Sequence, residues 1–294
     1  MYRNLTAPLI VVVAVALVLI STGVGLTQGA TDAPASVSLA TTNSNASPTG
    51  ATALASDSTA STCGQSIILL GAAAHFSVLA GTTVTNTGAT VVHGNLGVSP
   101  GTAVTGFPPG KVTGTTDVAN TAAAKAQTAL LAAYNNGMGR TNCPVAVAGN
   151  IGGQTLGPGL YRSTSSLAIS SGDLTLAAHG HSSAVFVFQV TSKFTVTSGR
   201  HVILAGGALA SHIFWVVGSS ATLGTTSVVY GNILAHKSIS LATGAILHGK
   251  ALAHIGAVTL AGNTITLVAG PSLTPSAGPA LYASTALAAR PTMD

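Results

Sequence analysis

The chain has 294 residues, and only 5% of them are charged: ten Lys and Arg against five Asp, with no Glu. That balance argues against the paired carboxylates of glycoside chemistry and against an acidic calcium cage. The net charge of +5 comes from scattered cations rather than a cluster, so no groove for nucleic acid is read. In chain order, Arg3 precedes an uncharged stretch at residues 4–30, apolar at 9–20. This is the pattern of a signal peptide at 1–30 or of an uncleaved membrane anchor. Either reading makes the protein secreted or holds it on the outer side of the membrane, with membrane contact only through that N-terminus. Residues 31–61 are Ala, Ser, Thr and Asn with almost no large apolar side chains. They cannot bury enough surface to offset their ordering entropy and read as a disordered linker.

A domain is expected over 62–268. Thr116-Asp117-Val118 opens an Ala-rich run that ends near Asn136-Gly137. It predicts a helix over about 117–136, capped by Thr116 or Asp117 and stopped by Gly137. Val118, Ala122, Ala126, Ala129, Leu130, Ala133 and Tyr134 form one apolar stripe that needs a flat surface to lie on. Cys63 and Cys143 are an even pair, which in a secreted chain invites a disulfide. Residues 269–294, with Pro271, Pro275, Pro279 and Pro291, read as a low-complexity tail.

Between the helix and the tail the chain repeats itself. Thr222-Leu223-Gly224-Thr225 leads to Tyr230-Gly231-Asn232-Ile233-Leu234-Ala235-His236. Eighteen positions on, Ser240-Leu241-Ala242-Thr243 leads to His248-Gly249-Lys250-Ala251-Leu252-Ala253-His254, and a third copy starts at Thr259-Leu260-Ala261. A repeat this short cannot bury a core alone, so copies must stack. Its Thr, Val, Ile, Leu and Gly residues suit strands. The fold class read from this is mostly β, a β-solenoid of about three short strands per turn. Residues 76–92, 167–177, 184–190, 194–204 and 212–217 are strand-like as well. His93-Gly94-Asn95-Leu96 resembles Tyr230-Gly231-Asn232-Ile233, so the helix interrupts a solenoid whose first coil precedes it.

Longer stretches carry a family resemblance. They include Ala74-His75-Phe76-Ser77-Val78-Leu79-Ala80-Gly81 and Asn95-Leu96-Gly97-Val98-Ser99-Pro100-Gly101-Thr102, with Gly106-Phe107-Pro108-Pro109-Gly110 after them. Pro158-Gly159-Leu160-Tyr161, Ala184-Val185-Phe186-Val187-Phe188-Gln189-Val190 and Ile213-Phe214-Trp215-Val216-Val217-Gly218 follow in order. Over about residues 66–267 the chain resembles the secreted ice-binding-protein family. The resemblance implies a discontinuous right-handed β-solenoid, roughly triangular, with one long α-helix packed along one wall. It also implies a non-enzymatic function without cofactor or metal: adsorption to ice and its ordered water through another, flat wall. Members display Thr-(Ala/Gly)-x-(Thr/Asn) on successive coils, where stiff β-branched side chains order surface water.

Thr87-Gly88-Ala89-Thr90 matches that motif in full. Thr225-Thr226-Ser227-Val228 and Thr243-Gly244-Ala245-Ile246 keep the first hydroxyl and lose the last, and Gly262-Asn263-Thr264 is a shifted match. The expected face is therefore Thr87, Thr90, Thr225, Thr226, Thr243, Asn263 and Thr264. Because Val228 and Ile246 lack hydroxyls, the alternative is an adhesion module on the same fold, meeting a surface polysaccharide or protein. Arg200 and His201 would spoil a flat face if they lay on it. His236 and His254, and Tyr230 and His248, should stack on adjacent coils, but with no carboxylate or thiolate nearby they predict no metal site. The lone Trp215 reads as core.

Overall fold

Triplets such as Ala221-Thr222-Leu223 and Ile239-Ser240-Leu241 bury their outer residues and turn the middle one outward. This period of two is that of strands with one dry face. The computed structural model describes residues 63–267, which are mostly β, with parallel sheets and one α-helix, α1 (Thr121–Met138). The segments read as signal or anchor, linker and tail lie outside the described residues.

Besides a small parallel sheet of Thr155–Leu156, Leu174–Ala177 and Val202–Ala205, the strands form three parallel ladders. A threonine ladder of eight strands runs Gly149–Asn150, Leu167–Ile169, Phe194–Val196, Ala221–Leu223, Ile239–Leu241, Val258–Ala261, Thr83–Thr87 and Ala103–Thr105. A helix-covered ladder runs from Pro144–Ala146 through Gly159–Ser163, Phe186–Val190 and Ile213–Val217 to the C-terminal halves of Val228–Ala235 and Ile246–Ala253. It then continues to Phe76–Ala80, Asn95–Val98 and Thr116–Val118. A third ladder takes the N-terminal halves of those two long strands on to Thr264–Thr266, Val91–His93 and Lys111–Val112. The two long strands turn between ladders at Gly231 and Gly249. A Cβ at Gly249 would stand 1.7 Å from the Gly231 carbonyl oxygen, so only glycine fits there.

Pairing follows space rather than sequence at one seam. Ile246–Ala253, Val258–Ala261 and Thr264–Thr266 pair with Phe76–Ala80, Thr83–Thr87 and Val91–His93. The last turn of the described residues thus docks on the first. Before the seam the turns differ in girth: Leu160 pairs with Val187, 27 positions on, whereas Asn232 pairs with Lys250, 18 positions on. The wide turns enclose stacked rings. Phe188 lies 5.1 Å from Tyr161 and 4.1 Å from Trp215, and Phe194 lies 4.5 Å from Trp215. Trp215 is fully buried, and its Nε1–H donates to the Tyr230 carbonyl at 3.0 Å. In register with Trp215 the row continues as Ile233, Ala251 and Val78, smaller side chains for narrower turns.

Helix α1 starts later than its sequence predicts. Thr116–Val118 is a strand, paired with Asn95–Val98, so neither Thr116 nor Asp117 caps the helix. Asn120 does: its Oδ1 accepts from the Ala123 N–H at 2.9 Å. Gly137 lies inside the helix and not at a left-handed stop. An added Cβ would meet Val216 at 2.7 Å, so glycine there lets the helix approach the sheet. The exposed carbonyls of the last turn are satisfied by Gln189, whose Nε2 donates to Gly137 O at 2.8 Å, Met138 O at 3.1 Å and Arg140 O at 2.9 Å. Ala126, Leu130 and Ala133 of the predicted stripe are buried against Phe214, Val216 and Leu234, while Val118 and Ala122 stay exposed. Cys63 and Cys143 form a disulfide with Cα atoms 5.4 Å apart, tying the start of the domain to the segment after α1.

Candidate functional site

The outer face of the threonine ladder carries one continuous row. Thr105 pairs with Thr85, Thr85 with Thr259, Thr259 with Ser240, Ser240 with Thr222, and Thr222 with Thr195. Ala168 and Asn150 extend it to the far end. Six consecutive strands thus present a hydroxyl side chain at the same outward position, and no charged residue interrupts them. The reason is local. From Thr85 to Thr195 each row member sits between two residues that point inward and are buried, such as Val84 and Asn86, Val258 and Leu260, Ile239 and Leu241, or Phe194 and Val196. Burial of those neighbours fixes the middle residue outward, and a slip by one residue would invert every strand. Neighbouring row members stand about 4.7–4.9 Å apart across strands, and outward positions repeat about every 6.6–6.8 Å along a strand.

The residues expected from the motif divide between rim, interior and another ladder. Thr87 is exposed at the end of its strand, in register with Ala261. Thr225, Thr226 and Thr243 are exposed in the turns between the threonine ladder and the third ladder, where Thr226 N–H donates to Thr243 O at 3.0 Å. Together they line one rim of the wall. Thr90 and Asn263 are buried, at 0% and 1% exposure, and cannot touch an external lattice. Their polar atoms serve neighbouring backbone and side chains: Thr90 Oγ1 accepts from Asn263 N–H at 3.0 Å, and Asn263 Nδ2 donates to Ala242 O at 2.8 Å. Thr264 lies on the third ladder between Ile246 and Val91. Val228 and Ile246 lie on that ladder too, so their missing hydroxyls leave the threonine row intact. His201 pairs with Val228 there, and neither it nor Arg200 belongs to the row. The motif search passed over Thr85, Thr105, Thr195, Thr222, Ser240 and Thr259. For Thr195, Thr222, Ser240 and Thr259 the signal is an apolar residue, then Thr or Ser, then an apolar residue; Thr85 and Thr105 keep only the apolar residue before them.

The family model described as ice-binding-like matches residues 78–266. The chain belongs to this family. It is 45% identical over 202 residues to an ice-binding protein of Nostoc sp. (strain HG1), covering 68% of this chain and 74% of that one. The crystal structure of an ice-binding protein from an Antarctic biological consortium is 52% identical, with a TM-score of 0.69. It covers 70% of this chain and 93% of its own. An ice-binding protein from the Antarctic ascomycete Antarctomyces psychrotrophicus has a TM-score of 0.66 at 38% identity, covering 69% and 98% of the two chains.

No ionisable group of this ice-binding-like domain stands in the threonine row, although Lys193 and Lys237 lie in the turns that lead into its strands. His236 and His254 lie with ring centres 5.8 Å apart, tilted by 38°, and Tyr134 of α1 lies 5.5 Å from His236. Burial, and next His236, holds His254 below the usual imidazole range, and its Nδ1 lies 3.3 Å from Gln127 Oε1. Tyr230 and His248 stack at 4.6 Å on the third ladder, where burial lowers His248. Lys250 is buried on the helix-covered ladder, and desolvation brings its ammonium down to about 8. Asp173 accepts from the His201 N–H at 2.9 Å and lies 3.8 Å from the Arg200 guanidinium, a local surface cluster. Among the described residues, no three His, Cys, Asp or Glu side chains converge to hold a metal, and no helix is long and apolar enough to cross a membrane.

Proposed function

We propose that the chain adsorbs to ice through the outer face of the threonine ladder, as a secreted, non-enzymatic protein. The single observation that carries this reading is the uninterrupted row from Thr105 to Thr195. Relatives and solved neighbours bearing the name ice-binding protein support the ligand. The domain reads as a right-handed, roughly triangular solenoid, with α1 on one wall and ice on another.

The mechanism needs no reacting group. Five of the six row residues are threonines, each presenting a methyl and a hydroxyl on a side chain that is stiff at χ1. Strand pairing holds these groups on a grid of about 4.8 Å by roughly 6.7 Å. Methyl groups hold water away from the backbone, and hydroxyls hydrogen-bond it at fixed points, so the bound layer is ordered before it meets the crystal. With the inner face of every strand locked in the core, little side-chain entropy is left to lose on contact. Low charge helps as well, since a fixed ion would orient water in its own pattern.

The test is thermal hysteresis and ice-crystal shaping by the full chain, expressed in a secreting host and purified in the form released. Faceted growth and a freezing gap are expected. Round, freely growing crystals at high protein concentration would refute ice as the ligand and turn attention to polysaccharide or protein partners.

A further inference from the structure

Resting on the ice reading, one buried polar chain has a position that packing alone does not account for. Elsewhere in the threonine ladder most neighbouring strands are joined by a single turn of chain, which limits how far one can slide on the next. At the seam between Val258–Ala261 and Thr83–Thr87 no such link exists: the hydrogen bond from Asn263 N–H to Thr90 Oγ1 spans 173 positions of sequence. A slip of two residues would keep every side chain on its correct face, so the apolar pattern does not forbid it. It would bring Thr83 or Thr87 opposite Thr259 in place of Thr85 and carry Thr105 about 6.6–6.8 Å out of line with the row.

We propose that Asn86, Thr90 and Asn263 are positioning residues that key this seam and so keep the ice-facing row in register. Asn86 Nδ2 donates to Gly88 O and to Gly106 O, both at 2.8 Å, reaching the neighbouring turn beyond the seam. Thr90 Oγ1 donates to Asn86 Oδ1 and accepts from Asn263 N–H. Asn263 accepts from Ala261 N–H through Oδ1 and donates through Nδ2 to Ala242 O and Ala245 O, at 2.8 and 3.1 Å. The relay therefore joins four turns of chain, two on each side of the seam. All three side chains are buried. In any other register of the seam the buried Thr90 Oγ1 and the Asn263 N–H would lose each other, while the bonds that hold Asn86 and Asn263 on either side stay made. Buried polar residues that set register at a cost in stability are a known device.

The experiment compares Thr90→Val, Thr90→Ser and Asn232→Ala with the wild-type full chain. Thr90→Val keeps the side-chain shape and removes the hydroxyl, while Thr90→Ser keeps the hydroxyl. Asn232, on the helix-covered ladder, donates to Ser211 O and Ile213 O, so Asn232→Ala removes buried hydrogen bonds far from the row. Each variant is read for melting temperature, thermal hysteresis and the ice planes it decorates when fluorescently labelled. At a matched loss of melting temperature, Thr90→Val should lower hysteresis at least about fivefold and blur the plane pattern. Thr90→Ser and Asn232→Ala should keep both. Should Thr90→Val not accumulate in folded form, Thr90→Ala carries the same comparison, because it loses the same seam hydroxyl without adding a methyl. Wild-type hysteresis in the folded relay variant overturns the proposal, as does an equal loss in Asn232→Ala. An inactive wild-type chain would instead end the ice reading itself.

Discussion

Ser240→Tyr puts one ring near the middle of the wall, between Thr222 and Thr259. Counting the central outward residue of each of the eight strands and the turn positions flanking it, the wall measures about 34 Å by 13 Å, or roughly 450 Å². A crystal plane is rigid and cannot bend around a ring that stands above the methyl groups. It can then meet the wall on one side of the ring only, and about half the contact is lost. At roughly 25 cal/mol per Å² the ceiling on that loss is about 5 kcal/mol. Even a fifth of it shortens residence on the ice surface about fivefold. Ser240 is on the outer face, so the fold should change by no more than about 0.5 kcal/mol, and the melting temperature by a degree or two. The assay is thermal hysteresis across a concentration series, with ice-crystal shape and a melting curve on the same sample. Wild-type hysteresis in Ser240→Tyr, at an unchanged melting temperature, would refute the threonine ladder as the ice-facing wall.

Thr243→Tyr places its ring at the rim, where Thr243 lies in a turn; hysteresis should fall, but less than for Ser240→Tyr, and equal losses would move the centre of the site toward the turns. Gln189→Ala strands the Gly137 and Met138 carbonyls, while Arg140 O keeps the Arg162 guanidinium, and should cost about 1–3 kcal/mol, read as a drop in melting temperature of roughly 2–4 °C per kcal/mol with hysteresis retained below the melt. The folded state holds His248 and His254 below their ordinary value of 6.5, so below about pH 6.5 the unfolded chain binds more protons and stability falls as pH falls. His254→Gln should flatten that slope in denaturant titrations between pH 5 and 7, a range set by the ordinary imidazole value; an unchanged slope would show that His254 is not a source of it.

The eighteen-residue repeat was enough to read stacked parallel strands, because copies that short have no other way to bury apolar residues. That His236 would adjoin His254, and that Tyr230 would stack on His248, followed from the same spacing, although the two imidazoles are tilted rather than stacked. So did a helix on a flat surface, since Ala126, Leu130 and Ala133 share one side. The ends of that helix were not legible. Thr116 and Asp117 have the chemistry of a cap, but pairing with Leu96 and Gly97 claims them for a strand. Gly137 looks like a stop and instead makes room for Val216.

The wall itself needed the fold. A Thr in a turn motif and a Thr at the middle of a strand triplet look equally exposed in sequence. Which of them stands in line with Thr85 depends on which strands are neighbours, and the last turn of the described residues neighbours the first. Local alternation decides only that Thr222, Ser240 and Thr259 face outward. The long-range pairing at the seam decides that Thr85 and Thr105 extend their row. It also turns Thr90 and Asn263 inward, where burial requires that every polar atom find a partner. Sequence thus determined the repeating unit and its two faces, because side-chain direction in a strand has a fixed period. Tertiary structure decided the order of the units and the extent of the wall, because parallel pairing joins strands that the chain keeps far apart.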